Sequence, residues 1–184
     1  MPARGVQQLN AKVSNLKKAL LTTVPKRMGN DALRHFLMSF RNQGFTDERL
    51  VLWPKTKAPR TVGGRAVQGR ILKGRGLLMN SLRITRSDWN GIQLAAGGPQ
   101  VPYAKIHNEG GTIETTASVR AHTRRDHAAR LRTGKVLRRG GAVKAHTRRM
   151  LTYMPKRQYM GRSAVLVNTM RETILKTVVQ TLVK

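Results

Sequence analysis

The phrase "VRAHTRRD" begins at Val119, and a near copy, "VKAHTRRM", begins at Val143, twenty-four residues later. Two copies of one alternating basic octapeptide restrict what the chain between them can be. In the first copy, Val119, Ala121 and Thr123 fall on one side of an extended strand, with Arg120, His122 and Arg124 on the other. The second copy has the same parity: Val143, Ala145 and Thr147 against Lys144, His146 and Arg148. Setting Thr123 opposite Thr147 puts the midpoint at residue 135, beside the turn-forming pair Thr133-Gly134. The segment therefore reads as a β-hairpin arm over residues 119–149. With about fifteen residues per leg it would extend about 50 Å at ~3.3 Å per residue. Gly140-Gly141 reads as a bulge or hinge in the returning leg. The same repeat also raises a paired-histidine metal site and a nucleic-acid grip, which imply different functions.

Charge separates these readings. Lys and Arg total 36 against 8 Asp and Glu, a net charge of +28. Between Arg120 and Arg162 there are fourteen Lys or Arg and one acid, Asp126. Such a chain repels itself and attracts polyanions, whether nucleic acid, acidic protein or anionic membrane. The candidate contact residues of the arm are Arg120, Arg124, Arg125, Arg130, Arg132, Lys135, Arg138, Arg139, Lys144, Arg148 and Arg149. Aromatic residues are scarce there, with only Tyr153 and Tyr159 near the base. That composition argues against a platform stacking single-stranded bases and for contact with phosphate backbone or acidic protein.

Metal and catalytic chemistry find little support. Four of the five His lie between His107 and His146, but Cys is absent and carboxylates are few, whereas a structural zinc takes four ligands. His107 and Glu109 in "HNEGG" point apart on a helical turn and make no dyad. The glycines and cations of "GGRAVQGRILKGRG" lack the Gly-Lys-Ser/Thr ending of a phosphate-binding loop. No cofactor, metal or catalytic residue is expected. Nor is a membrane: no apolar run reaches about 18 residues, and the first ten residues lack a secretory apolar segment.

The rest of the chain predicts one α+β domain over 1–184, with N-terminal helices and a C-terminal helix packed on a small antiparallel sheet. Val6, Leu9, Val13, Leu16, Leu20 and Val24 form one helical stripe, and Ala32, Leu33, Phe36, Leu37 and Phe40 a second. Pro25 should break or kink the helix between them, Asn30 or Asp31 should cap the second segment, and Gly44 should end it. Residues 45–70 read as a long loop anchored by Leu50–Trp53, with Trp53 as a packed lid on the core. Leu82 and Ile84, then Ile92 and Leu94, read as two strands about the turn dipeptide Asn90-Gly91. Val167, Met170, Ile174, Val178 and Leu182 predict the last helix, about Arg162 to Val183.

Three segments in order are similar to the phage virion morphogenesis proteins, the tail-completion or head–tail-joining (neck) proteins of tailed bacteriophages. They are a G-x-L-x-x-S segment at Gly76, Leu78 and Ser81, a YA-x-x-H-x-x-G segment at Tyr103, Ala104, His107 and Gly110, and a P-x-R-x-F/Y-x-G segment at Pro155, Arg157, Tyr159 and Gly161. The leading helix and "WPKT" at Trp53 look like that family too, so the resemblance spans most of the chain. The length and charge of the arm between the second and third segments are unusual for it. The resemblance implies a non-catalytic structural protein of the virion neck or tail, made in the bacterial host cytoplasm. It implies a ring of identical subunits whose partners are itself and the neighbouring connector and tail proteins, with non-specific contact to DNA in the channel as a further possibility. It also implies packing roles for the motifs: Tyr103 and His107 anchoring a short helix, Pro155 and Gly161 setting the turn into the last one. The alternative, from a different class, is a basic nucleic-acid-binding protein gripping through the 119–149 arm.

Overall fold

The structure, a computed structural model, describes residues 4–56, 60–62, 65–67, 69–131 and 134–183. The fold class is α+β, with helices at both ends and small antiparallel sheets between them. The chain divides into two compact units: Met1–Gly110 with Pro155–Lys184, and Gly111–Met154.

In the first unit one helical rod runs from α1 (Arg4–Lys18) through a π-helical turn (Ala19–Thr23) into α2 (Val24–Asn42). Pro25 does not break it. A proline lacks an N–H and its ring crowds the carbonyl four residues back. Here the turn ahead of it is widened, and the Val24 N–H donates to the Ala19 carbonyl five residues earlier. Asn30 and Asp31 consequently lie inside α2 and cap nothing. Asp31 instead accepts a hydrogen bond from the Thr173 hydroxyl at 2.6 Å. The helix ends at Gln43, which takes the left-handed conformation (φ 54°), while Gly44 opens a strand. Gln43 is held there by its own side chain. Its amide donates to the Phe40 carbonyl at 2.7 Å and the Ile71 carbonyl at 3.2 Å, and its carbonyl oxygen accepts from the Ile71 N–H.

The second stripe of this rod faces the core as its spacing predicts, with Ala32, Phe36 and Phe40 buried. The first stripe does so only toward its end: Val24 is buried and Leu16 and Leu20 are half-buried, while Val6, Leu9 and Val13 remain exposed. Phe40 packs edge-on against Trp53 with ring centres 5.5 Å apart, and against Tyr159 at 5.3 Å. Phe45, Leu78, Leu82, Val101, Ala104 and Leu166 complete the cluster. Trp53 is thus a core residue, as expected, and its indole N–H is satisfied by the Gln158 carbonyl at 2.6 Å.

The stretch read as a loop contains two three-residue ladders. Strand β1 (Gly44–Thr46) pairs with β2 (Leu50–Leu52), and β3 (Arg60–Val62) with β4 (Arg65–Val67). After the short α3 (Leu77–Asn80) come β5 (Arg83–Asp88) and β6 (Gly91–Ala95), the expected antiparallel pair, against which α2 packs. The turn falls one residue earlier than predicted: Asp88 is opposite Gly91, and the loop residues are Trp89 and Asn90, neither with positive φ. The Asp88 carboxylate makes this turn by accepting from the Asn90 and Gly91 N–H groups at 2.9 and 3.1 Å.

Helix α4 (Ala104–Glu109) ends at Gly110, whose φ of 75° and contact with the Lys156 backbone leave no room for a side chain. Helix α5 (Ala164–Val183) packs against α2. Its fully buried residues are Leu166 and Thr177; of the predicted stripe Met170, Ile174 and Val178 are half-buried, while the end residues Val167 and Leu182 are exposed. Thr177 faces α2, where its hydroxyl accepts from Arg27 at 3.0 Å. The N-terminus of α5 is doubly capped. Ser163 Oγ accepts from the Leu166 N–H at 3.1 Å, and Asp47 Oδ1 accepts from the Ala164 N–H at 2.8 Å. An anionic cap there also meets the positive end of the helix dipole.

The second unit is one chain reversal in three nested antiparallel ladders. Strand β7 (Gly111–Val119) pairs with β12 (His146–Met154), β8 (His122–Arg124) with β11 (Gly141–Val143), and β9 (His127–Leu131) with β10 (Gly134–Arg138). Pairing thus begins at Gly111 and Met154, well before the predicted limits.

Candidate interaction surface

One register runs through all three ladders of the second unit. Val119 lies opposite His146, Arg124 opposite Gly141 and Leu131 opposite Gly134. The repeat predicts Thr123 opposite Thr147, whereas Thr123 faces Ala142 and Thr147 faces Ser118. The slip is an odd number of residues, so it exchanges the faces of one strand relative to the other. The predicted alignment would set Arg124 and Arg148 on one face, and the slip removes this. Arg148 stands across from Ala117, Arg149 across from Thr116 and Arg124 across from Gly141. Like charges directly opposite are destabilising, and this register sets these three arginines against small residues. Near the tip that relief ends: Arg130 is opposite Lys135, and Arg138 opposite His127.

The repeat has a different structural use from the one predicted. Val119 pairs with His146 and Val143 with His122, so the first four residues of each copy lie across from one another. The two residues between those pairs leave the ladder on both strands. In each copy the histidine Nδ1 lies against the carbonyl two residues back, His122 with Arg120 at 3.0 Å and His146 with Lys144 at 2.9 Å. The two copies thus build a locally two-fold interruption in the ribbon. Each histidine is across from a valine and not from the other histidine. Among the described residues no three His, Asp, Glu or Cys side chains come together as a metal site would require.

Gly140 is not a bulge, because the register is unchanged on either side of it. It marks a close approach: a Cβ there would collide with the Arg124 carbonyl. Asp126 is spent in the same place, its carboxylate accepting from the Gly140 N–H.

Arg120, Arg124, Arg125, Arg138, Arg139, Lys144, Arg148 and Arg149 are all exposed. Arg130 and Lys135 occupy paired strand positions. Arg132 and Thr133, half of the predicted turn, lie outside the described residues. Arg149 forms a two-pronged ion pair with Glu114, Nη2 to Oε2 at 2.6 Å. Both partners are more than half exposed, so this pair is worth at most about 1 kcal/mol.

The motif residues of the first unit make a second, separate constellation. Tyr103 meets His107 edge-on at 5.6 Å. The His107 carbonyl accepts from the Arg157 N–H at 2.8 Å, and the buried Arg157 donates through Nε to the Pro54 carbonyl at 3.3 Å. The Tyr159 hydroxyl donates to the Ala104 carbonyl at 2.9 Å, and its burial pushes the phenol pKa up to about 12. Burial, followed by the Arg157 charge, lowers the pKa of His107, and its Nδ1 is buried without a hydrogen-bond partner among the described residues. Gly161 packs against the Gln158 side chain just before α5. Sequence reasoning missed Asn108. Its Oδ1 accepts from both the Tyr159 and Met160 N–H groups at 3.0 Å, tying α4 to the third motif. No local pattern announces a bond that spans some fifty residues of chain.

The motif residues thus pack within the α+β unit, and the ribbon carries exposed cations. The model of the phage virion morphogenesis family matches residues 4–179, and the chain belongs to that family. It is accordingly a structural or assembly protein of a phage virion. No curated protein and no solved structure matched the chain. Among the described residues no helix is long and apolar enough to cross a membrane.

Proposed function

We propose that this protein is a tail-completion or neck subunit that joins the tail to the head connector. In this reading identical copies form a ring and act by binding, without catalysis. The cations of residues 119–149 meet an acidic face of a neighbouring connector or tail protein. The observation that carries the reading is family membership across residues 4–179 combined with the exposure of the arm's described cations on both faces of a paired ribbon. Seven of the eight exposed Lys and Arg side chains have no ion-pair partner among the described residues, Arg149 being paired with Glu114, and a polyanionic counterpart would offset their mutual repulsion.

The test is native mass spectrometry of the purified protein, with electron microscopy of virions to locate the subunit. A defined cyclic oligomer at the head–tail junction is the expected result. A strict monomer absent from purified virions would refute the proposal.

Channel DNA is the second reading, favoured by the scarcity of aromatics and the spread of cations over both faces. Deleting residues 126–141 removes Arg130, Arg132, Lys135, Arg138 and Arg139. Were DNA the partner, the slope of log affinity against log salt would fall by roughly 4 to 5, at about 0.9 per phosphate contact. An unchanged slope would exclude the arm as a DNA grip.

A further inference from the structure

The long ladder of the second unit leaves both outer edges open. Among the described residues β7 and β12 pair with each other only. Each strand is nine residues long, so each edge presents about 30 Å of backbone with unpaired N–H and C=O groups. A two-stranded ribbon is at best marginally stable alone in water and gains from a third strand or a covering layer. Proteins blunt such edges with proline, lysine or bulges. Strand β5 carries a register shift between Ile84 and Arg86. Strands β7 and β12 have no proline, no lysine and no register shift. On β12 the side chains of Met150, Leu151 and Tyr153 are also exposed.

Charge selects what fits these edges. Glu114 is the only charged residue of β7, and Arg148 and Arg149 are the only Lys or Arg of β12, which has no acid. Two β12 edges brought together would align four arginines. A β7 edge, whose one charged residue Glu114 is already paired with Arg149 of its own ribbon, brings no further cation against β12. A ring whose strands run along its axis permits the same pairing, because rotation about that axis keeps the β7 strands of successive copies parallel. The β12 of one copy, antiparallel to its own β7, is then antiparallel to the β7 of the next. A head-to-tail contact of this kind forms a ring when the rotation between neighbours closes.

We propose that the occupant of each open edge is a second copy of this chain. The β7 edge of one copy pairs with the β12 edge of its neighbour, so the arms join into one continuous antiparallel sheet around the ring. This inference rests on the ring reading above and adds to it which edges meet.

The chain is free of Cys, so introduced thiols report without background. Thr116→Cys on β7 is co-expressed with Thr147→Cys, Met150→Cys or Thr152→Cys on β12, each pair as two single variants, and the purified oligomers are oxidised. The expected result is a disulfide-linked dimer from at least one mixed pair, at a yield about tenfold above that of any variant alone. Homotypic crosslinks between β12 positions, or no crosslink in any pair while native mass spectrometry still shows the cyclic oligomer, would overturn the edge proposal and leave the ring standing. Monomers in solution and on particles would overturn both.

Discussion

Asn108 offers the sharpest test of how the family motifs hold the first unit together. Its side-chain oxygen is the acceptor for two backbone donors, Tyr159 N–H and Met160 N–H, each at 3.0 Å. Tyr159 is among the most buried side chains, so water cannot readily replace the lost acceptor. Asn108→Ala strands both donors. A buried donor left unsatisfied costs about 1–3 kcal/mol, so two partly buried ones should cost about 2–4 kcal/mol. That is a large share of a typical domain stability of about 5–15 kcal/mol. At about 2–4 °C per kcal/mol for a chain of this size, the loss corresponds to a fall in Tm of roughly 4–16 °C. Asn108→Asp keeps the oxygen acceptor and should retain more than half of that stability. The assay is thermal unfolding by calorimetry or circular dichroism, with the three proteins compared at one pH. An alanine variant within 1 °C of the parent would refute the assignment, and so would an aspartate variant as unstable as the alanine one.

Gly140→Ala should push its new methyl into the Arg124 carbonyl and open the ribbon locally. Amide exchange in residues 122–143 should accelerate at least tenfold while residues 24–42 keep their protection; unchanged exchange in the ribbon would contradict the close approach. Ser163→Ala removes the N-cap bond to Leu166 and should cost about 1 kcal/mol, read as a fall in denaturation midpoint. Asp47→Ala, which removes the bond to Ala164, should cost a similar amount. His35 and His107 both have pKa values lowered by burial, so the folded state favours their neutral forms. The unfolded chain therefore binds more protons in this range, and stability rises with pH. The contribution is complete above the ordinary histidine value of 6.5 and is lost as pH falls from there through the lowered folded values. A Tm that stays level between pH 7 and 5, in parent and His107→Gln alike, would contradict this linkage.

Apolar spacing alone determines much of the first unit. The helix through Ala32, Phe36 and Phe40, the strand pair around Asp88–Gly91 and the terminal helix all follow from local periodicity, because a stripe or an alternation is a property of neighbouring residues. The strand character and reversal of the arm were legible in the repeated octapeptide for the same reason. The resemblance of three ordered motifs likewise led to the family. What local pattern does not contain is which groups meet across the fold. The odd register of the ribbon is accompanied by arginines set against small residues and by Gly140 closing on Arg124, and a count from the repeat misses both. The helical spacing of Val6, Leu9 and Val13 marks a helix but does not say what covers it, and in the folded chain these residues stay exposed. Three-residue strands such as β1 and β2 are too short to carry a period. Gln43, Asp47 and Asn108 are ordinary polar residues in sequence. Only tertiary structure brings unpaired backbone groups from Ile71, Ala164 and Tyr159 to them, since each such bond joins residues between 28 and 117 positions apart.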